Sequence, residues 1–382
     1  MEGSTAGLAT RAVHDRREIA RAYREIFAAA YADVPGWHDP PLPFHMARLD
    51  PRQEPIWREA ERTLLVAERD GRARGRVLAF VPAEELRRDA GARGGRFALF
   101  DAADDESAEA LLGAACAWLR ERGCREVVGP LAFSMHDEVG LLVEGFDEPA
   151  AFMMPFNPPG AAAQLARHGF SETRRFWTYT WDLRRDAVPL RSDRKDQQAP
   201  PGLTLRPFSL ADRERQTAGL LEVYNAAFAD NWGFEPLSPE ECRMFVDQFI
   251  QFGDPRLVRV AELDGRLVGF ILCIPDPNRL LHATRGQPSW WRLARLILAV
   301  KLKRLRTARV ITLAVRPELR RSGVGHALIR DLAEAGRALG YQSAELSYID
   351  AGNEAMNRIL QDLGFPRRKT YAVFHRSLQG PS

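Results

Sequence analysis

The chain has 382 residues, 45% of them apolar and 27% charged, a length suited to two ordinary domains and a composition that excludes a disordered or low-complexity protein. Its net charge of +3, from 54 Lys and Arg against 51 Asp and Glu, excludes a surface made throughout for nucleic acid, so any basic partner site has to be local. The four cysteines, Cys116, Cys124, Cys242 and Cys273, have no C-x-x-C spacing, which argues against a zinc or disulfide framework and for buried thiols in a reducing compartment.

The N-terminal stretch turns polar and charged before any apolar run and carries no signal-peptide pattern, so the expected location is cytoplasmic. From Ala67 to Pro82, AERDGRARGRVLAFVP reads as two apolar strands around an Asp-Gly turn. The strand RFALF leads into DAADDESAEALLGAAC, an acidic helix start that would repel a phosphate group. Gly129 to Pro159 is an apolar run with His136, Asp137 and Glu138 side by side. Consecutive residues make poor metal ligands, so no metal site is expected there. The run reads as a surface loop or as the wall of an acceptor pocket, with His136 as its candidate contact. QLARHGF, Gln164 to Phe170, is a helix stopped by a glycine cap and re-entering a strand. Residues 184–202, rich in charge, Gln and Pro, read as a linker between a first domain, 1–183, and a second, 203–382.

The second half repeats the first. AELDGRLVGFILCIP, Ala261 to Pro275, matches the first hairpin, and RILQDLGF, Arg358 to Phe365, matches QLARHGF at about the same offset. Two matches in register point to duplication of one fold. The second half should start with a strand at LTLRPF, helices from Ala211 to Phe228 and Pro239 to Phe249, and the hairpin over 258–274. A strand from Ala308 to Val315 and a helix from Gly325 to Leu339 follow, then a strand from Ser343 to Ile349, a helix from Glu354 to Leu363 and a last strand, KTYAVFHRSL. The fold class is α/β, a mixed sheet with helices on both faces.

Chemistry is densest at VRPELRRSGVGHALIRDL, where a strand enters a short glycine loop that opens directly into a helix. Successive backbone N–H groups and the positive helix end converge there on one point, an anion cradle. Arg320 and Arg321 add charge, and glycines at 323 and 325 let a ligand approach the backbone. This stretch resembles the R-x-x-G-x-G acetyl-CoA loop of the GNAT acyltransferase superfamily, on Arg320, Gly323 and Gly325, and Asn353 with the LGF turn fits that family's next motif.

The resemblance implies direct transfer of an acyl group from the CoA thioester to an amine. It implies a donor site formed by Leu313, Ala314 and Val315, the loop Arg320, Arg321, Ser322, Gly323, Val324, Gly325 and His326, and Asn353. Relatives often carry a tyrosine four residues before the glycine of the LGF turn to protonate the leaving thiolate, but this position is Leu360. Tyr348 and Tyr371 are candidate substitutes. The strand from 308 to 315 has no carboxylate, so a general base must come from elsewhere. Glu345 is the first candidate, because a carboxylate inside an apolar strand is costly unless paired or functional, and Asp350 is the second. Asn231 and Trp232, before a capping-box helix start at Ser238 and Glu241, lie in the loop that borders the acceptor site in this family.

An insertion over 276–307 contains PSWWRLARLILAVKLKRLR, which carries six Arg or Lys and no acid. On a helical wheel Arg292, Arg295, Lys303 and Arg306 cluster opposite Trp291, Ala294, Ile297, Leu298 and Leu305. The run is too short and too charged to span a bilayer and suits a peripheral contact with an anionic inner-membrane surface. Over its full length the chain resembles a group of tandem GNAT proteins that includes bacterial ceramide synthases, on GRVLAF, FALFDAADDE, VVGPLAFS, NWGFEPLSPEE, IPDPN and AELSYIDAGNEAMNRIL. That likeness implies tandem GNAT folds with a degenerate first copy, acyl-CoA as donor and a sphingoid-type amine as acceptor. The alternatives are a GNAT enzyme for a small soluble amine or peptide, and a non-catalytic acyl-CoA-binding regulator, which Leu360 keeps open.

Overall fold

The computed structural model describes residues 7–39, 42, 46, 49–50, 55–131, 138–184, 199–234 and 236–379. Most of the stretch read as a linker, 185–198, lies outside the described residues, and so does His136. The first elements in chain order are β1 (Ala9–Ala12), α1 (Arg16–Ala30), β2 (Glu61–Arg69), β3 (Arg72–Val81), β4 (Arg93–Ala102), α2 (Asp105–Glu121), β5 (Cys124–Gly129), β6 (Leu141–Glu144) and α3 (Ala161–Arg167). Then come β7 (Ser171–Asp182), β8 (Thr204–Pro207), α4 (Arg213–Phe228), α5 (Pro239–Phe252), β9 (Val258–Leu263), β10 (Arg266–Pro275), α6 (Asn278–Ala283) and α7 (Ser289–Lys301). The chain ends with β11 (Thr307–Val315), α8 (Val324–Ala338), β12 (Ser343–Asp350), α9 (Glu354–Asp362) and β13 (Arg367–Ser377).

These elements form two compact units, one of Met1–Arg175, Leu281–Leu293 and Lys369–Ser382, the other of Phe176–Leu280 and Ala294–Arg368. In the first, the strand order is β1-β2-β3-β4-β5-β13, with β6 also on β13, and β4 runs parallel to β5. One face packs Leu111, Leu112 and Leu119 of α2, the other Tyr23, Ile26 and Phe27 of α1. Arg76 and Asp101, both buried, pair across 2.7 Å inside this unit, with the guanidinium 3.6 Å from the Tyr23 ring. A charge so buried persists only because a partner offsets its lost hydration.

In the second unit the order is β7-β12-β11-β10-β9-β8, with β11 parallel to β12 and the other pairs antiparallel. Alternation, reset by register shifts between Leu267 and Gly269 and between Leu272 and Cys273, sends Val268, Ile271, Ala308 and Val310 under Val324, Leu328 and Leu332 of α8, and sends Leu267, Phe270 and Ala314 under Leu220 and Val223 of α4. A fully buried leucine such as Leu328 contributes about 1.5–3 kcal/mol. This is the mixed sheet with helices on both faces that the periodicity predicts.

Both Asp-Gly turns have positive φ at both central residues, 53° and 70° at Asp70 and Gly71, 50° and 76° at Asp264 and Gly265. That is the conformation whose twist matches the flanking strands, and its recurrence fits a duplicated fold. The units are not, however, the contiguous halves expected on either side of the linker. Phe176 to Asp182 of β7 pair with β12 and place Tyr179 and Trp181 in the core of the second unit. β13 pairs with β5 and β6 and places Ala372 and Phe374 in the core of the first. Strand periodicity specifies which side chains are buried but not which neighbouring strand supplies the hydrogen bonds.

Candidate functional site

β11 stays paired with β10 as far as Val315, but its ladder with β12 runs only from Thr307↔Ser343 to Val310↔Leu346. Beyond that point β12 shifts register, between Leu346 and Ile349, and continues along β7. The two parallel strands therefore part, leaving the backbone of 311–315 without a ladder toward β12. Leu313, Ala314 and Val315, the stretch expected to meet the donor's pantetheine, line this fork.

The strand end is held by Arg316. Its N–H donates to Val268 O at 2.9 Å, its Nε–H to Leu267 O at 2.9 Å, and its Nη2 to Glu222 at 2.7 Å. One turn at Pro317–Leu319 follows, closed by Ser322 Oγ–H to Leu319 O at 2.7 Å. Arg321 and Gly323 then take positive φ, 66° and 82°, and α8 begins at Val324 with Gly323 as its cap. The left-handed turn aims the first N–H groups of α8 past the end of the helix, where no intrahelical acceptor exists. A Cβ at Gly325 would meet only Val315 Cγ2, at 3.9 Å, so the space beside the helix start is open on the β11 side. Ser322 lies on this loop, and Val324 and His326 lie on the first turn of α8.

Arg320 Nη2 donates to Ala227 O at 2.7 Å, tying the loop to the C-terminal turn of α4. Arg321, exposed, stands at the left-handed turn just before the helix start. The matching position in the first unit is closed by its own side chains. Asp104 accepts from Ser107 N–H at 2.9 Å and from Arg74 Nη2 at 3.1 Å, so a carboxylate caps α2 where an anion would sit. The gap after the last β4–β5 pair, Arg96↔Val128, is bridged by Leu131 N–H to Phe97 O at 2.9 Å.

Asn353 caps α9, its Oδ1 accepting from Met356 N–H at 3.1 Å, and Asp350 Oδ1 accepts from Gly352 N–H at 2.7 Å. Leu360 is fully buried in the core, and Tyr371 is a core residue of the first unit. On β12, Glu345 stands in register opposite Arg309 of β11. Arg309 is 3% exposed and donates from Nε to Ser347 Oγ at 2.9 Å. Its guanidinium carbon lies 5.5 Å from the Tyr348 ring centroid, and Tyr348 packs edge-on against Phe176. The sequence reasoning missed Arg309, although an arginine between Ala308 and Val310 inside an apolar strand is a visible signal. It also missed Asn357, whose Oδ1 accepts from Tyr179 at 3.0 Å while its Nδ2 donates to Asp350 O at 2.9 Å.

Asn231 and Trp232 lie in the turn after α4, with Asn231 N–H on Phe228 O at 2.9 Å and Phe234 N–H on Asn231 O at 3.2 Å. The Asn225 carboxamide clamps Leu237 through two 3.0 Å bonds, folding the loop back over α4. The capping box is present, with Glu241 N–H on Ser238 Oγ at 3.2 Å and Ser238 N–H on Glu241 Oε2 at 2.8 Å. Tyr224 meets Phe234 in this loop at 6.0 Å, and burial pushes its phenol well up, so it stays protonated at neutral pH.

A strand fork, a glycine-capped helix start beside it and a loop after α4 thus converge in one unit. The profile of the acetyltransferase (GNAT) family matches residues 218–365, which contain all three. A bacterial ceramide synthase from Caulobacter vibrioides is 31% identical over 354 residues, 91% of this chain and 92% of the relative. The chain belongs to the GNAT family. Protein YghO of Escherichia coli is 30% identical over 94% of this chain and 93% of its own length. Among solved structures, a tandem GNAT protein from the clavulanic acid biosynthesis pathway matches with a TM-score of 0.58 over 98% of this chain and 100% of its own, at 16% identity, a likeness of fold. This GNAT protein is an N-acyltransferase, and acyl-CoA is the donor its family uses.

The insertion departs from the helical wheel. Basic residues that cluster on the wheel are engaged by the protein: Arg292 donates to Asp39 O at 2.8 Å, Lys303 lies 3.6 Å from buried Asp254, and Arg306 donates to Gly340 O at 2.9 Å. The helix ends at Lys301, and Leu296 and Leu305 are buried. Ile297 and Leu298 of the wheel's apolar face are exposed, as are Trp290, Leu293, Val300 and Leu302, and Trp290, Leu293, Ile297 and Val300 are spaced along one face of α7. Among the described residues no helix is long and apolar enough to cross a membrane.

Proposed function

We propose that this chain transfers a long-chain acyl group from acyl-CoA to the amine of a sphingoid-type lipid. The observation that carries the reading is the likeness over nine-tenths of its length to a bacterial ceramide synthase. In this reading the N–H groups at 323–326 and Arg321 hold the donor's pyrophosphate, and a backbone N–H of 313–315 binds the thioester oxygen as it becomes an oxyanion. The amine nitrogen bonds to the thioester carbon, the C–S bond breaks, one amine proton passes to Glu345, and the thiolate takes a proton from Tyr348 or solvent. Asp350 is the second candidate base. Asn353 borders the donor and Asn231 and Trp232 the acceptor. Holding amine and thioester together supplies much of the rate.

The exposed apolar stripe of α7, with Lys301 and Arg304 exposed at its end, supports a second element of the proposal, contact with an anionic membrane surface where a lipid acceptor resides. The test is thiol release by purified protein from palmitoyl-CoA or acetyl-CoA, with sphinganine or a panel of polar amines. Release with palmitoyl-CoA and sphinganine is expected. Release only with acetyl-CoA and polar amines would move the acceptor to small soluble amines, and CoA binding without turnover would make the protein a regulator.

A further inference from the structure

Charged residues inside a buried strand need a reason. On β11, Ala308 and Val310 face the core beneath α8, which turns Arg309 to the other face of the sheet. On β12, Ala344 and Leu346 share that core, so Glu345 and Ser347 face the same way as Arg309. The register sets Arg309 beside Glu345, the Nε–H bond reaches Ser347 Oγ at 2.9 Å, and the guanidinium lies 5.5 Å from the Tyr348 ring. The next pair, Val310↔Leu346, is the last before the strands part. One buried cation therefore touches or borders the candidate base, the register shift of β12 and the candidate acid, at the base of the fork.

We propose that Arg309 is the positioning residue of this site. A guanidinium keeps its charge wherever it is buried, so it favours a carboxylate, rather than a neutral acid, on the strand beside it. In the acyl-transfer reading, Glu345 held in this way takes the proton of the acceptor's nitrogen as the C–N bond forms. The bond to Ser347 fixes the strand at the shift and with it the direction of Tyr348. An apolar residue of equal volume would fill the same space without the desolvation cost of a buried charge, so packing alone does not account for an arginine here. The inference rests on the acyl-transfer reading.

Full-length Arg309→Met and Arg309→Lys proteins test it by kcat, KM for each substrate, and CoA affinity. Arg309→Met should lower kcat about a hundredfold, the scale of a misplaced acid–base group, with CoA affinity within about threefold of wild type. Arg309→Lys should recover about tenfold of that loss, because it restores a charge but not the planar fork. Equal kcat for Arg309→Met and wild type, or no gain in Arg309→Lys over Arg309→Met, would overturn the proposal. If Arg309→Met does not fold, Ser347→Ala answers the same question. Removing only the acceptor of the 2.9 Å bond should lower kcat several-fold at unchanged CoA affinity, and a wild-type kcat would overturn the proposal. A wild-type protein that acylates no amine defeats the acyl-transfer reading, whereas an active wild type with an equally active Arg309→Met defeats the role of Arg309 alone.

Discussion

The guanidinium of Arg320 reaches across 2.7 Å to the carbonyl of Ala227, so the first residue of the R-x-x-G-x-G loop is tied to the end of α4. Arg321, exposed at the left-handed turn, is the arginine we assign to the phosphate group. Arg321→Glu is expected to weaken CoA binding at least tenfold, with the difference shrinking as salt is raised. Arg320→Met should instead leave CoA affinity within about threefold and lower stability by about 1 kcal/mol, the scale of one charged hydrogen bond discounted for partial exposure. Calorimetric titration with CoA, paired with thermal melts of both variants, separates the two roles. The reverse assignment would return Arg320 to the ligand.

The two glycines of the loop should fail differently. At Gly323 the backbone is left-handed, φ 82°, so even Gly323→Ala should destabilise by about 1–2 kcal/mol, whatever the ligand does. At Gly325 the backbone is helical and the nearest atom to an added Cβ is Val315 Cγ2 at 3.9 Å, so a side chain grows into open space. Gly325→Trp is expected to abolish CoA binding while its melting temperature stays within about 3 °C of wild type, a shift below about 1 kcal/mol for a chain of this size. Full CoA affinity in that variant would remove the helix start from the donor site.

Most of the second half is legible in its sequence because each signal there is local. Asp-Gly turns, the Ser238 and Glu241 box and the glycine after α9 depend on neighbours within a few residues, and the structure places them as the pattern requires. Strand partnership depends on residues far apart in the chain, and so the exchange of β7 and β13 could not be read. The same limit hid the engagement of Arg320 by Ala227, of Arg309 by Ser347, and of three basic residues of the insertion.

The exchange makes a prediction about fragments. Tyr179, Trp181 and Leu183 are buried in the core of the second unit, at 1%, 4% and 3% exposure, yet all lie before residue 203. A fragment of 203–382 would lose all three, at about 3–5 kcal/mol for each large aromatic side chain removed, and would carry β13 without β5 or β6. It should be unfolded or aggregate, whereas 171–368 should give a cooperative melt. A stable, CoA-binding 203–382 would mean that the second half completes its sheet in another way.

The membrane reading of α7 rests on an exposed stripe that shares Ile297 with the apolar face the helical wheel selects but is extended by Trp290, Leu293 and Val300. Arg292, Lys303 and Arg306 make contacts within the protein, so reversing their charge would change those contacts as well as any contact with lipid. Trp290 is 72% exposed and Ile297 46%, while Lys301 and Arg304 are exposed at the helix end. Lys301→Glu with Arg304→Glu should weaken binding to phosphatidylserine vesicles at least thirtyfold, since each basic residue near such a surface contributes about 1 kcal/mol. Trp290→Ser with Ile297→Ser should weaken binding to neutral and anionic vesicles alike, because those side chains act through apolar area. Turnover of a water-soluble short-chain amine should survive both changes, while turnover of a bilayer-borne long-chain amine should fall with vesicle binding. Flotation with vesicles and paired activity assays measure each outcome. If all variants float like wild type, the exposed stripe serves another partner, and the acceptor must reach the fork from solution.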